Sequence, residues 1–223
     1  LNWVKEKSEA TLVVLKSQPM FEETRRKALE ILNSDKRIAY AGFQGKYLYN
    51  FWQDEKNERG IRRRTTIEEY LKPTPQWEIL LDIDKLCQEE GEKWVYKGSS
   101  GLYPDYTQYM VYLSRGGGDA RVCREFDARS RQFVKNGFYV PEAKNSISWK
   151  DPNTIYVQTD FGPGSLTRSG YPRIAKIWKR GEPISAAKTV FEGESTDVGV
   201  ACYVIHTPER QYDVIDREIT FYT

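Results

Sequence analysis

Histidine, cysteine and methionine are scarce in this chain: one, three and two among 223 residues. The three cysteines, Cys87, Cys123 and Cys202, are odd in number and far apart. That excludes a disulfide framework and a clustered zinc site, and it fits a reducing compartment: cytoplasmic, with the periplasm left open. No apolar run reaches the length needed to cross a membrane, and no secretory leader is visible, so no membrane partner is expected. Nor is there an excess of charge of one sign. Thirty-four basic side chains against 32 acidic ones leave a net charge of +2, which argues against a general nucleic-acid binder.

Nucleophilic motifs are missing as well. There is no G-x-S-x-G elbow, and the single histidine, His206, sits in a strand-turn segment, His-Thr-Pro, where a surface role fits better than that of a catalytic base. The acidic residues form no convincing pair for two-carboxylate catalysis. No metal or other cofactor is expected, and the chain taken alone reads as carrying no catalytic residue.

What the chain has is aromatic residues, 13% of the total with 15 tyrosines, and a repeating pattern. An apolar strand, a polar or glycine-rich turn, and a strand dense in Arg, Val, Ile and aromatics recur from Tyr47, Tyr109, Thr154 and Ala201. Tyr109, Tyr156 and Tyr203 follow one another at intervals of 47 residues. Such units cannot bury their apolar faces alone, and the interval fits four-stranded propeller blades. A β-sandwich also has short strands and frequent turns, but does not normally repeat at this length.

Two short amphipathic helices precede the repeats. Leu1, Val4, Thr11, Leu12 and Leu15 share a broad face before Pro19; Phe21, Arg25, Ala28, Leu29 and Leu32 form the next, closed by Asn33-Ser34-Asp35. From Ile38 the period becomes two. Strands are expected near 38–41, 47–53, 61–66 and 77–82, then 93–97, 108–114, 121–127 and 131–134. A third set falls near 146–149, 154–159, 173–179 and 188–191, and a fourth begins near 198. A short helix is expected at 83–90, before Gly91. The resulting division is a helical segment, 1–35, and a partial β-propeller, 36–223. Both ends read as cuts through a longer polypeptide.

Two glycine-rich segments invite a phosphate-loop reading. Gly116-Gly117-Gly118-Asp119 lacks the Gly-Lys-Ser/Thr continuation and lies between strands, so it reads as a hairpin turn. Gly162-Pro163-Gly164-Ser165, within 160–172, reads as a structured loop of the kind that can line a ligand path. In the basic run Arg59, Arg62, Arg63 and Arg64 no stacking platform for bases is evident. Cross-strand pairing with Asp54, Glu55, Glu58, Glu68 or Glu69 is the simpler account, with an electropositive rim as the alternative.

Several stretches taken in order resemble the propeller region of the prolyl oligopeptidase family of serine peptidases. They are Trp3–Leu12, Tyr49–Tyr70, Trp77–Leu86, Leu113–Asp127, Thr159–Gly181, Thr189–Glu194 and Arg217–Thr223. Arg62 departs from that likeness, which leads to an expectation of Trp.

The resemblance implies an all-β chain with short N-terminal helices, comprising about four blades of a seven-bladed propeller. It also implies an α/β-hydrolase domain of the same parent chain as partner and short proline-containing peptides as substrates, cleaved after proline. This part would gate and align substrate, with Arg115, Asp119, Ser165 and Arg173 as the candidate chamber wall. Open propeller edges would favour self-association. A standalone propeller for protein–protein binding is the competing reading. A glycan-binding propeller is a third, which would need convergent acids and aromatics in a central pocket.

Overall fold

The computed structural model describes residues 1–34 and 36–222. Helices α1 (Asn2–Lys16) and α2 (Phe21–Asn33) come first, separated at Pro19. Neither buries a single residue: Trp3, Val13, Ile31 and Leu32 all stand in solvent. The boundary placed at residue 35 lies outside the described residues.

The remainder is a series of antiparallel meanders. β1 (Gly42–Gln44), β2 (Tyr47–Trp52), β3 (Ile61–Thr65) and β4 (Glu78–Asp82) form the first sheet in sequence order, with the one-turn α3 (Ile67–Tyr70) between β3 and β4. α4 (Ile83–Glu90) leads to the second sheet. The Asp82 side chain caps its N-terminus by accepting from the Lys85 N–H, and Gly91 ends it in the left-handed conformation at φ 64°. The second sheet holds β5 (Trp94–Gly101), β6 (Gln108–Arg115), β7 (Arg121–Asp127) and β8 (Gln132–Phe133); β9 (Tyr139–Ala143) shares the far edge of β7. The third sheet is β10 (Ser146–Asp151), β11 (Thr154–Gln158), β12 (Ile174–Lys179) and β13 (Lys188–Glu192). A two-stranded sheet, β14 (Gly199–His206) with β15 (Gln211–Glu218), closes the series.

The sheets stack face to face, and the two-residue period of their central strands explains how. On β6, Tyr109, Val111 and Leu113 pack toward the first sheet, with Tyr49, Leu80, Leu86 and Trp94, while Met110 packs toward the third, with Ile147, Trp149 and Ile155. On β11, Ile155 and Val157 face the second sheet; Tyr156 faces the hairpin, with Ala175, Val200 and Cys202. A bidentate ion pair ties the second sheet to the third. Arg180 donates to both oxygens of the buried Glu125 at 2.8 and 2.9 Å, and the Phe138 N–H adds a third bond at 2.9 Å. Burial pushes the Cys123 thiol up to about 12 and that of Cys202 up to about 11, so both act as small apolar core groups.

Most expected elements lie where the pattern placed them. Three details differ. The first strand starts at Gly42, since Ile38 and Tyr40 stand exposed outside any strand. β9 was not anticipated: Pro141 interrupts its pattern and confines it to an edge, where its missing N–H costs no ladder bond. The arginine run also does not pair with the acids of its flanking loops. Arg64 bonds Glu78, its direct cross-strand neighbour, at 2.6 Å, while Arg62 and Arg63 lie against aromatic rings.

Candidate functional site

β5, β10 and β14 are the first strands of successive sheets, and β10 lies against both of the others. Near one end of these strands a cleft of about 590 Å3 opens, lined by Lys97 of β5, Ser146 of β10, and Gly199, Val200 and Ala201 of β14. The β6–β7 turn adds Asp119 and the start of β7 adds Arg121. Lys144 and Asn145 come from the segment entering β10, Tyr171 and Pro172 from the long loop, and Glu218 from the end of β15. Its size is that of a pocket for a small organic molecule or a few residues of peptide.

The charges in the cleft are of both signs and differ in how firmly they are held. Arg121 is fixed: Nε and Nη2 donate to the Asn145 side-chain and backbone oxygens at 2.9 and 2.5 Å, the Asn145 amide donates back to the Arg121 carbonyl at 2.6 Å, and the guanidinium lies 4.5 Å from the Tyr112 ring centroid. The Lys144 ammonium sits 4.0 Å from the centroid of Tyr171, and Lys97 donates to the Gly117 carbonyl at 3.1 Å. Among the described residues, neither lysine has a carboxylate partner, and the carboxylates of Asp119 and Glu218 have no ion-pair partner. Below the rim, Gln158 is the direct cross-strand neighbour of Ser146, so their side chains share a face. It is fully buried, and neither its amide nitrogen nor its oxygen has a hydrogen-bond partner in the structure. Such a group costs stability unless something else satisfies it.

Of the four residues singled out from the sequence, the structure brings Asp119 into this cleft. Arg115, at the end of β6, is held by Glu92 and Glu142, both at 2.7 Å, and lies over Trp94. Arg173 bonds Glu192 at 2.6 Å and the carbonyls of Gly164 and Gly193. Ser165 is buried in the 160–172 loop. Its hydroxyl bonds Asp160 and the Gly162 carbonyl and accepts from the Phe161 N–H, while Gly162 and Gly164 take φ of 106° and 81°. The loop is therefore structured. In the β6–β7 turn, Gly116 and Gly117 have positive φ and Ser114 closes on the Gly118 carbonyl, as a hairpin turn requires.

The sequence reading missed Lys97, Lys144, Tyr171 and Gln158, whose proximity depends on how separate sheets meet. His206 stacks on Tyr103 with ring centroids 4.3 Å apart. Among the described residues, no group of three His, Cys, Asp or Glu side chains is placed to hold a metal ion, and no helix is long and apolar enough to cross a membrane. The cleft presents ammonium groups for a carboxylate, carboxylates for an amine, and aromatic and apolar surface between them.

Stacked antiparallel meanders, three of them with adjacent first strands, are the architecture of a β-propeller domain. Residues 1–207 match the family model described as prolyl oligopeptidase, N-terminal beta-propeller domain, and the chain belongs to that family. An uncharacterized peptidase of Sinorhizobium fredii is 39% identical over all of this chain, and one of Rickettsia prowazekii is 34% identical over 86% of it. The solved structure of a post-proline cleaving enzyme from Rickettsia typhi superposes with a TM-score of 0.91 over 99% of the chain, at 31% identity. The chain spans about a third of the length of these relatives: 32% and 28% of the two peptidases and 33% of the solved enzyme.

Proposed function

We propose that this chain is the substrate-admitting part of a serine-type oligopeptidase that hydrolyses short peptides after proline, and that the nucleophile, base and acid belong to an α/β-hydrolase domain elsewhere in the same parent polypeptide. The observation that carries this reading is the likeness to the post-proline cleaving enzyme of Rickettsia typhi, continuous over 99% of the chain and close in shape. The chemistry is acyl transfer: a serine attacks the carbonyl carbon of proline, a histidine takes the serine proton and gives it to the departing amine, and water then hydrolyses the acyl-enzyme. The propeller acts by exclusion and alignment. Stacked sheets with buried cores form a rigid wall that rejects folded proteins, and the mixed-charge cleft offers Lys144 and Lys97 to a carboxylate and Asp119 and Glu218 to an amine at the ends of a short peptide.

The test is hydrolysis of paired reporters by the parent polypeptide. A short Gly-Pro amide should be cleaved and the matching Gly-Ala amide should not, with a serine-directed phosphonate abolishing turnover. The 223-residue chain alone should be inert. Equal rates on both reporters would remove the proline assignment, and turnover by the verified short chain would remove the division of labour.

A further inference from the structure

Three neighbouring polar side chains at the inner-strand cleft have hydrogen-bonding capacity left over. Gln158 on β11 pairs directly with Ser146 on β10 and with Ala175 on β12, and alternation turns these side chains toward the hairpin β14–β15. Two contacts fix that direction. Ser148, two residues beyond Ser146, accepts from the Val204 N–H at 3.1 Å, and Ala175 packs on Val200. Asn145 turns the other way, to β7, where its side-chain oxygen accepts from Arg121 at 2.9 Å and from the Cys123 thiol at 3.1 Å. Lys144, before it, turns back over the Tyr171 ring.

Buried polar groups elsewhere in the chain are spent. Glu125 takes three hydrogen bonds and so does Asp197. Among the described residues, three buried side-chain nitrogen or oxygen atoms have no partner, and two of them are the carboxamide atoms of Gln158. The half-buried Ser146 hydroxyl and the Lys144 ammonium also have no hydrogen-bond partner among the described residues. Ser146 and Val200 both line the cleft, so its floor lies directly against Gln158. Glutamine has three side-chain torsions, and a rotamer change that carries this carboxamide to the floor breaks no hydrogen bond within the protein.

The order of the groups is ammonium, hydroxyl, carboxamide, and it selects a ligand chemistry. An ammonium and a hydroxyl donate to a carboxylate, while a carboxamide both donates and accepts, as a main-chain amide does. The C-terminus of a peptide carries a carboxylate and a main-chain amide one Cα apart, within the span of directly opposed side chains on paired strands, about 5 Å. An amino terminus offers only donors and a charge that Lys144 repels. We propose that Lys144, Ser146 and Gln158 form a subsite for the free C-terminal end of a short peptide, with Lys144 and Ser146 on its carboxylate and Gln158 on its last main-chain amide. The inference rests on the reading of this cleft as a path for peptides, and adds that the propeller selects them by their terminus, whatever the position of proline.

The experiment titrates the full-length parent with N-acetyl-Ala-Ala and with its C-terminal amide, by isothermal titration calorimetry. Neither probe contains proline, so on the oligopeptidase reading neither is cleaved, and the binding result stands whatever the parent hydrolyses. The acid should bind saturably and about tenfold more tightly than the amide, the size of one charge-assisted hydrogen bond. Lys144→Met should abolish that preference. Gln158→Leu should weaken both peptides by about tenfold, while leaving the thermal midpoint unchanged or higher because an unpaired buried group is gone. A purely structural glutamine gives the opposite pair of results, a lower midpoint with unaltered binding. The proposal is overturned by that pair, by equal affinity for acid and amide, by absence of saturable binding of the acid, or by an acid preference that survives Lys144→Met.

Discussion

Arg62 occupies a slot built for an aromatic ring. Its guanidinium lies 5.1 and 5.2 Å from the centroids of Tyr49 and Tyr109, between the first two sheets, where the family likeness leads to an expectation of Trp. Its Nη2 donates to the Gln44 side-chain oxygen at 3.3 Å, and among the described residues its buried Nε has no partner. Burial and the neighbouring Tyr49 also push the Tyr109 hydroxyl well above the usual phenol range. Cation–π attraction recovers part of the cost of burying this charge, and the unsatisfied donor remains. Arg62→Trp should therefore stabilise the chain by about 1–2 kcal/mol, from the ring area gained and the unpaired donor removed. Thermal unfolding of the two proteins checks this, and a lower midpoint for the Trp variant would show that the Arg geometry is itself optimised.

At the scale of elements, a buried acid ties the hairpin β14–β15 to the turn that precedes it. Asp197, in the turn before β14, accepts from Arg217 of β15 at 2.8 and 3.1 Å and from the Glu194 N–H at 2.7 Å. The hydrogen bonds from Arg217 hold the Asp197 carboxyl below the usual carboxylate range. A depressed folded-state pKa means that this contribution is fully present above the ordinary Asp value of about 3.9 and is lost as pH falls through the lower folded value. Amide exchange in β14–β15, measured against β10–β11, should accelerate selectively as pH drops below about 4. Asp197→Asn should reduce that selectivity, leaving the part due to Asp213, whose carboxyl the Lys150 ammonium also holds below the usual range against the effect of burial; an unchanged pH profile in the variant would assign the acid sensitivity to another group.

The same elements show how much was legible. Strand positions came through because alternation is a local signal: Tyr109-Met110-Val111 declares two packed faces without reference to any neighbour. Arg63 and Gln158 did not come through. Nothing near Arg63 in sequence announces that Trp52 and Trp77 will close around it, because that sandwich is made by β2, β3 and the segment that enters β4. All four candidate wall residues were chosen by their place at strand ends and loops, and the structure gives three of them, Arg115, Ser165 and Arg173, polar partners of their own. Lys144 and Tyr171 meet only because separate segments converge on the inner strands.

At the scale of the whole molecule, the stack of sheets has two uncovered flanks. One is the face of the first sheet turned away from the second, where Ile79 is 46% exposed. The other belongs to the two-stranded β14–β15, where Tyr203, Ile205 and Tyr212 share the outer face and are 38%, 44% and 39% exposed. An open strand edge with apolar neighbours is a template for pairing with another chain. The isolated chain should therefore self-associate: light scattering at increasing concentration should show mass rising above the 26.0 kDa of one copy. A monomer throughout the micromolar range would mean that these flanks are adequately solvated.

The central claim is a division of labour between a propeller that admits peptide and a hydrolase that cuts it. The most direct measurement is active-site labelling of the full-length parent with a fluorophosphonate, followed by peptide mapping of the modified residue. The account predicts a single labelled serine outside residues 1–223, with labelling blocked by a short proline-containing peptide. A label on any serine within these residues would contradict it.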